Sequence, residues 1–158
     1  MASQTEENYL KALLHLVNEQ GEISVTELSK RLKISSPTAN SMIKKLAVKG
    51  WVNYKKYKPL SLTPKGKKRA ALIIRKHRLT EMFLVEKMKF GWEQVHPIAE
   101  QIEHVDSDLF FNRMDEILGF PTVDPHGSPI PDKNGDIKWK SYDKLSDCKA
   151  GDKVVLSG

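Results

Sequence analysis

The sequence predicts a mainly α-helical protein, with an N-terminal winged helix-turn-helix followed by an α-helical body. Three observations predict it. Apolar residues recur at spacings of three and four through most of the first 118 positions. A Lys-rich turn at 55–58 lies between two short strand-like runs, directly after the third helical run. Two later runs, KHRLTE at 76–81 and VHPIAEQIEHV at 95–105, hold three of the five histidines, each beside a carboxylate at helical spacing.

Residues 4–19 read as a helix with an apolar stripe of Tyr9, Leu10, Leu13, Leu14, Leu16 and Val17, closed by Gly21. His15, beside that stripe, reads as a surface or helix-packing residue. Ser24 is a candidate N-cap for a short helix over 25–32, with Val25, Leu28 and Leu32 inward. Ser36 is expected to cap a third helix over 37–48, with Pro37 in its first position. Ala39, Met42, Ile43 and Leu46 would face inward; Thr38, Asn40, Ser41, Lys44 and Lys45 would face out. Gly50 ends that helix. Trp51 and Val52 begin one strand of a β-wing, and Leu60, Ser61 and Leu62 form the other.

Thr63 then caps a long helix with Pro64 in its first turn, running to about residue 89. Pro97 lacks an amide donor and is comfortable only in a first turn, so the next helix is expected to start near Glu93 or Gln94 and to end near Val105. Asp106 or Ser107 caps a further helix to about Leu118. Its Leu109, Phe110, Met114, Ile117 and Leu118 are too many for one face of a monomer, and a subunit interface is expected. Residues 120–132 form a Pro/Gly/Asp-rich loop in which His126 reads as a turn residue. Residues 137–158 are too short to fold alone and end in an alternating stretch, as at the opening of a β-rich domain.

Charge is unevenly placed. Residues 1–79 hold 17 Lys+Arg and 5 Asp+Glu, a net of +12; residues 80–158 hold 9 and 15, a net of −6. A basic front half points to a polyanion partner, nucleic acid before an anionic membrane surface. No apolar run approaches the length of a membrane span, so no membrane partner is expected, and Glu6 and Glu7 stand where a signal peptide would need apolar residues. The single cysteine, Cys148, cannot form an intramolecular disulfide, which fits a reducing cytoplasm.

In a winged helix-turn-helix the third helix enters the major groove by its N-terminal end. Ser35, Ser36, Pro37, Thr38 and Ser41 would then face bases and nearby phosphates of double-stranded DNA. Their hydroxyls can bond either, and Pro37 and the Thr38 methyl can touch a thymine methyl. Lys44, Lys45, Lys55, Lys56 and Lys58 would neutralise phosphates, which positions the duplex without specifying its sequence. Thr5, at the start of the first helix, completes the DNA-facing set.

In the second His-bearing run, His96, Glu100, Glu103 and His104 stand at offsets 0, 4, 7 and 8, within an arc of roughly 100° on a helix. In the first, His77 and Glu81 stand at i and i+4. The bland reading is a solvated face. Imidazole nitrogen with carboxylate oxygen suits Mn²⁺, Fe²⁺, Co²⁺, Ni²⁺ or Zn²⁺, and no thiolate is nearby.

Six stretches carry a resemblance: EENYLKAL, SSPTANSMIKKL, LSLTPKG, RKHRLTE, VHPIAEQIEHV and the GSPIP loop. Over residues 4–132 the chain resembles the diphtheria-toxin-repressor and manganese-transport-regulator family of metal-dependent transcriptional repressors. The resemblance implies a homodimer in which a divalent ion between the first helix and the body sets the distance between two DNA-reading heads. It implies a primary ligand set of Asn8, Glu100, Glu103 and His104, and an ancillary set of His77, Glu81 and His96. The family's iron-responsive branch has a thiol at the place of Glu100 and Met at that of Asn8. Its manganese branch has Glu and Asp there, with a further Glu where this chain has Lys11. Glu100 therefore leans toward manganese. The iron-responsive branch also carries a C-terminal SH3-like domain, whose opening residues 141–158 resemble.

The expected organisation is a winged helix-turn-helix over 1–73, a metal-binding and dimerisation domain over 74–140, and the start of an SH3-like domain over 141–158. The expected function is Mn²⁺- or Fe²⁺-dependent repression of metal-uptake genes through a palindromic operator, with Co²⁺, Ni²⁺ or Zn²⁺ able to substitute in vitro. Two other readings stand beside it: a metal-independent winged-helix regulator with a small-molecule pocket, and a carboxylate/histidine metalloenzyme of the helical-bundle type.

Overall fold

A computed structural model describes residues 2–20, 23–124 and 126–137, without the side chains of 18–20. The expected closing Gly21 and the expected β-rich opening at 141–158 lie outside the described residues. The first module is α1 (Gln4–Gln20), α2 (Val25–Arg31), α3 (Ser36–Val48) and a wing of β1 (Val52–Asn53) and β2 (Ser61–Leu62). The body follows as α4 (Pro64–Glu86), α5 (Trp92–Ile102) and α6 (Asp108–Ile117).

Local chemistry sets each start. Ser3 and Glu6 exchange side-chain bonds with each other's amides at 2.9 and 3.3 Å, satisfying two donors at the start of α1. Ser24 and Glu27 do the same for α2. The cap of α3 is Ser35, one residue earlier than the sequence led us to expect: its Oγ accepts from the Thr38 amide at 3.2 Å. Ser36 becomes the first helical residue and its hydroxyl meets that of Ser29 at 3.1 Å, fastening α3 to α2.

The wing is a two-stranded antiparallel ladder pairing Val52 with Leu62 and Asn53 with Ser61, extended by a bridge from Leu60 to Ile23. Its return into α4 is tight. The Thr63 amide donates to Trp51 O at 3.0 Å, the Thr63 hydroxyl donates to Gly50 O at 2.8 Å, and Thr63 Oγ1 accepts from the Gly66 amide at 3.0 Å. A Cβ on Gly66 would fall 1.9 Å from Trp51 O.

α4 serves both modules. Its Ala70, Ala71 and Ile74 join the first core with Leu10, Leu13, Leu28, Ile43 and Leu46; its Leu79 and Met82 join a second core with Phe111, Met114 and Ile130. The 73/74 division falls inside this one continuous helix. Two buried or half-buried arginines of α4 lash down α6 and the chain after it. Arg75 donates to Asp115 Oδ2 at 2.6 Å and to Pro131 O at 3.0 Å; Arg78 donates to Pro129 O and pairs with Asp124.

α5 begins at Trp92, earlier than Pro97 led us to expect, so Pro97 lies in its second turn. The Gly91 amide donates to Gln94 Oε1 at 3.0 Å, which supports the earlier start. The carbonyl deprived by Pro97 belongs to Glu93, an exposed residue with access to water. Ser107 caps α6. Leu109, Phe110, Ile117 and Phe120 stay exposed on and just beyond α6, Leu109 at 76 %. Among the described residues, no helix is long and apolar enough to cross a membrane.

Glu6 is almost wholly buried and takes the Lys49 ammonium on both oxygens, at 2.6 and 2.8 Å. Burial alone would raise its pKa; the Lys49 bond and the Ser3 amide outweigh it and lower it to about 2. A depressed carboxylate contributes stability above its unfolded value near 4.5 and loses it as pH falls toward 2. Glu6→Gln should cost about 2 kcal/mol in urea unfolding at neutral pH and flatten the stability profile across that acid window. Gly66→Ala should cost at least roughly 2 kcal/mol in the same assay, because backbone must move to admit the methyl.

Candidate metal centre and nucleic-acid interface

One turn of α4 places His77 and Glu81 on the same face, and α5 packs across it to bring in His96. Three ligand atoms, one from each residue, lie within 4.8 Å of one another. His77 Nε2 and His96 Nδ1 each lie 3.0 Å from Glu81 Oε1, and the two ring nitrogens are 3.1 Å apart. His77 and Glu81 are buried, whereas the His96 side chain is 61 % exposed. The cluster opens into a cleft also lined by Asn8, Lys11 and His15 of α1, Glu100 of α5 and His126. Glu100 Oε1 is 3.6 Å from His96 Nε2. His126 stands in its turn, edge-on to Trp92 at 5.0 Å.

The last two candidates of the second run leave that face. α5 stops at Ile102, so Glu103 sits at its C-cap and turns inward with no exposed surface. His77 Nδ1–H donates to Glu103 Oε2 at 2.5 Å, and Lys11 Nζ donates to Glu103 Oε1 at 2.6 Å. His104 Nδ1–H donates to Glu7 Oε2 at 2.7 Å, and Glu7 also pairs with Arg69 at 3.5 Å. The expected arc of four donors is thus split: His96 and Glu100 border the cleft, while Glu103 and His104 bind α1. Asn8 is exposed at the cleft and brings only a neutral amide. Glu7 was not singled out in the sequence. Its signal was present, since Glu7 and Lys11 are four apart and share one face of α1.

Electrostatics follow the contacts. Burial would raise the Glu81 pKa, but bonds from His77 and His96 hold it down at about 2. Burial would likewise raise the Glu103 pKa, but bonds from His77 and Lys11 lower it. His77 is desolvated, which disfavours its charge, yet Glu103 and Glu81 raise its pKa above the ordinary 6.5. Two imidazoles and a carboxylate converging from two helices fit a borderline divalent ion. The bond from His77 Nδ1 to Glu103 fixes the ring and aims Nε2 at the cluster, as a supporting carboxylate does for ligand histidines. Ligation needs that nitrogen's lone pair, so protonation of His77 competes with it. The affinity for Mn²⁺, read by competition with a fluorescent chelator between about pH 8 and 6, should fall with acid from above the ordinary histidine value, and His77→Ala should abolish tight binding.

In the first module, Thr5, Ser35, Ser36, Pro37, Thr38, Ser41, Lys44 and Lys45 are all exposed, as are Lys55, Lys56 and Lys58 on the wing. The Ser35 and Thr38 hydroxyls bond each other at 2.7 Å, and Lys45 lies 3.4 Å from Glu6. The Tyr54 hydroxyl donates to Asn40 Oδ1 at 3.0 Å and ties the wing to α3, a contact the sequence did not announce. Lys49 and Arg69 stand over the Trp51 ring at 5.0 and 4.9 Å.

A winged module carried on a helical body with a His/carboxylate cluster has the organisation of a two-domain repressor, and comparison with known proteins agrees. Residues 1–60 match the description "Iron dependent repressor, N-terminal DNA binding domain" and residues 63–132 match "Iron dependent repressor, metal binding and dimerisation domain". The chain belongs to the iron-dependent repressor family, the family of the diphtheria toxin repressor. It is 35 % identical over 127 residues to the iron-dependent repressor IdeR of Mycobacterium leprae, covering 80 % of this chain and 55 % of that one. It therefore spans about half the length of the curated relatives it matches. Among solved structures it is similar to a manganese-dependent transcriptional repressor in complex with manganese (TM-score 0.79, 37 % identity, 91 % of this chain and 66 % of that one). It is also similar to ScaR with bound Cd²⁺ (TM-score 0.78, 34 % identity, 91 % and 68 %).

Proposed function

We propose that this chain is a metal-responsive transcriptional repressor of the cytoplasm that binds a palindromic operator as a homodimer, with Mn²⁺ or Fe²⁺ as the activating ion. The observation that carries the proposal is the convergence of His77, Glu81 and His96 on one cleft, in a body fused through α4 to a winged head. The relatives include an iron-dependent repressor, a manganese-dependent transcriptional repressor and the manganese regulator SloR, which supports regulation over catalysis.

His77, Glu81 and His96 would hold the ion, with Glu100 at the mouth of the cleft. A bound divalent ion supplies fixed positive charge between α4 and α5. Oxygen at Glu100, where the iron-responsive branch has a thiol, leans toward Mn²⁺ over Fe²⁺, with Co²⁺, Ni²⁺ or Zn²⁺ able to enter in vitro. Asn8, Glu103 and His104 stand in a second group between α1 and the end of α5. The exposed apolar residues of α6 are the face offered to a second protomer, and a two-fold pair of heads matches a two-fold operator. In each head the start of α3 would read bases, with Ser36, Pro37, Thr38 and Ser41 nearest the groove, while Thr5, Lys44, Lys45 and the wing lysines meet phosphates. The division between the two modules is placed within α4, near residues 73 and 74.

The test uses a palindromic duplex selected from a random pool by the Mn²⁺-loaded protein. Affinity by fluorescence anisotropy should rise at least about tenfold on adding Mn²⁺ to chelator-treated protein, and His77→Ala with His96→Ala should remove that response, since a switch of this kind needs a coupling of roughly 1–3 kcal/mol. Equal affinity in chelator and in Mn²⁺ would rule out metal-responsive binding.

A further inference from the structure

The second group of candidate ligands does not fit a metal ion in this chain, because a lysine already provides its cation. Lys11 Nζ, on α1, lies 2.6 Å from Glu103 Oε1 and 3.9 Å from Glu100 Oε1. Its side chain is only 16 % exposed. The other Glu103 oxygen is taken by His77, and the ordered face of His104 is taken by Glu7. His104 Nε2 stands 3.6 Å from Glu103 Oε1, beside the ammonium. A buried carboxylate needs one positive partner close by, and Glu103 has it. A divalent ion placed among Glu100, Glu103 and His104 would stand next to a fixed like charge, with Asn8 adding no negative charge to offset it.

We propose that the Lys11 ammonium is a built-in cation at the head-to-body joint, so that the chain takes one divalent ion where a two-ion site would otherwise form. Glu103 is then a positioning residue. One of its oxygens holds His77 so that Nε2 faces the cluster, and the other holds Lys11, 92 residues away on the DNA-binding module. The ring of His77, the Glu103 carboxylate and the Lys11 ammonium form one unbroken chain of charge-assisted bonds from the cluster to α1. Occupancy of the cluster requires His77 to keep its remaining proton on Nδ1, which is the nitrogen that donates to Glu103. The joint is therefore held by the protein itself and is coupled to the cluster most closely through Glu103, with Glu100 a longer second link from Lys11 to His96.

The first ion in this account rests on the metal reading of His77, Glu81 and His96; the comparison between Lys11 variants does not. Bound Mn²⁺ per chain is counted by equilibrium dialysis with elemental analysis on the full chain, for the natural protein, Lys11→Glu, and Lys11→Glu with His104→Ala. One ion, two ions and one ion are expected in that order, because a carboxylate in place of the ammonium completes a second site. If Lys11→Glu is unfolded in chelator, its refolding in Mn²⁺ with two ions bound supports the same conclusion, and failure to refold there counts against it. No ion on the natural protein but one on Lys11→Glu would remove the metal reading of the cluster and leave the Lys11 assignment standing. Two ions on the natural protein, or no gain on Lys11→Glu, would overturn it.

Discussion

A carboxylate with no exposed surface has to be matched by donors on both oxygens, and Glu103 is matched from two different parts of the chain. An unpaired charge at that depth costs several kcal/mol, so the partners are under strong constraint. One partner comes from α4 and the other from α1. The C-terminal end of α5 is thereby pinned to the head and to the body at one point. His104, the next residue, repeats the attachment through Glu7, and Glu7 in turn meets Arg69 near the start of α4. The joint between the modules is polar, and its geometry is set by directional bonds more than by shape.

α4 gives that joint something rigid to act against. It is a continuous helix of 23 residues, apolar to the first core in its first half and to the second core beyond it. A helix hydrogen-bonded throughout transmits position along its length. The loop after α6 is held against the same helix by Arg75 and Arg78. His77 and Glu81 sit between those anchor points and the packing of α5, so their side chains have little freedom to spread.

Most of the fold was legible in the sequence because its determinants are local. Helix spacing, Ser24, Thr63 and Ser107 as caps, and the lysine-tipped wing all depend on residues within a few positions of one another. The errors were local as well, and all lie at helix boundaries: α4 ends at Glu86 and α5 at Ile102, each about a turn earlier than expected, and two starts differ. Ser35 and Ser36 are both competent caps, and only the placement of the Thr38 amide separates them. Pro97 tolerates the second turn of α5 because the carbonyl it deprives is exposed. The cluster of His77, Glu81 and His96 was visible as spacing on two helices. The direction of Glu103 and His104 was not, because α5 ends at Ile102 and periodicity stops being informative there. Lys11 and Glu7 meet their partners across 92 and 97 residues, a distance at which no pattern in one sequence speaks.

The hydroxyls at the start of α3 carry a consequence for any duplex seated there. Ser35 already satisfies the Thr38 amide and shares its proton with the Thr38 side chain. Of the two hydroxyl protons one is spent on their mutual bond and the other stays available, so a base edge can accept from the pair without breaking it. The pair would thus offer a duplex one donor held at a fixed place, beside the apolar contacts of Pro37 and the Thr38 methyl. Where a duplex is read from this end of α3, that placed donor and the methyl contacts would set discrimination, while the exposed lysines would set the dependence on ionic strength.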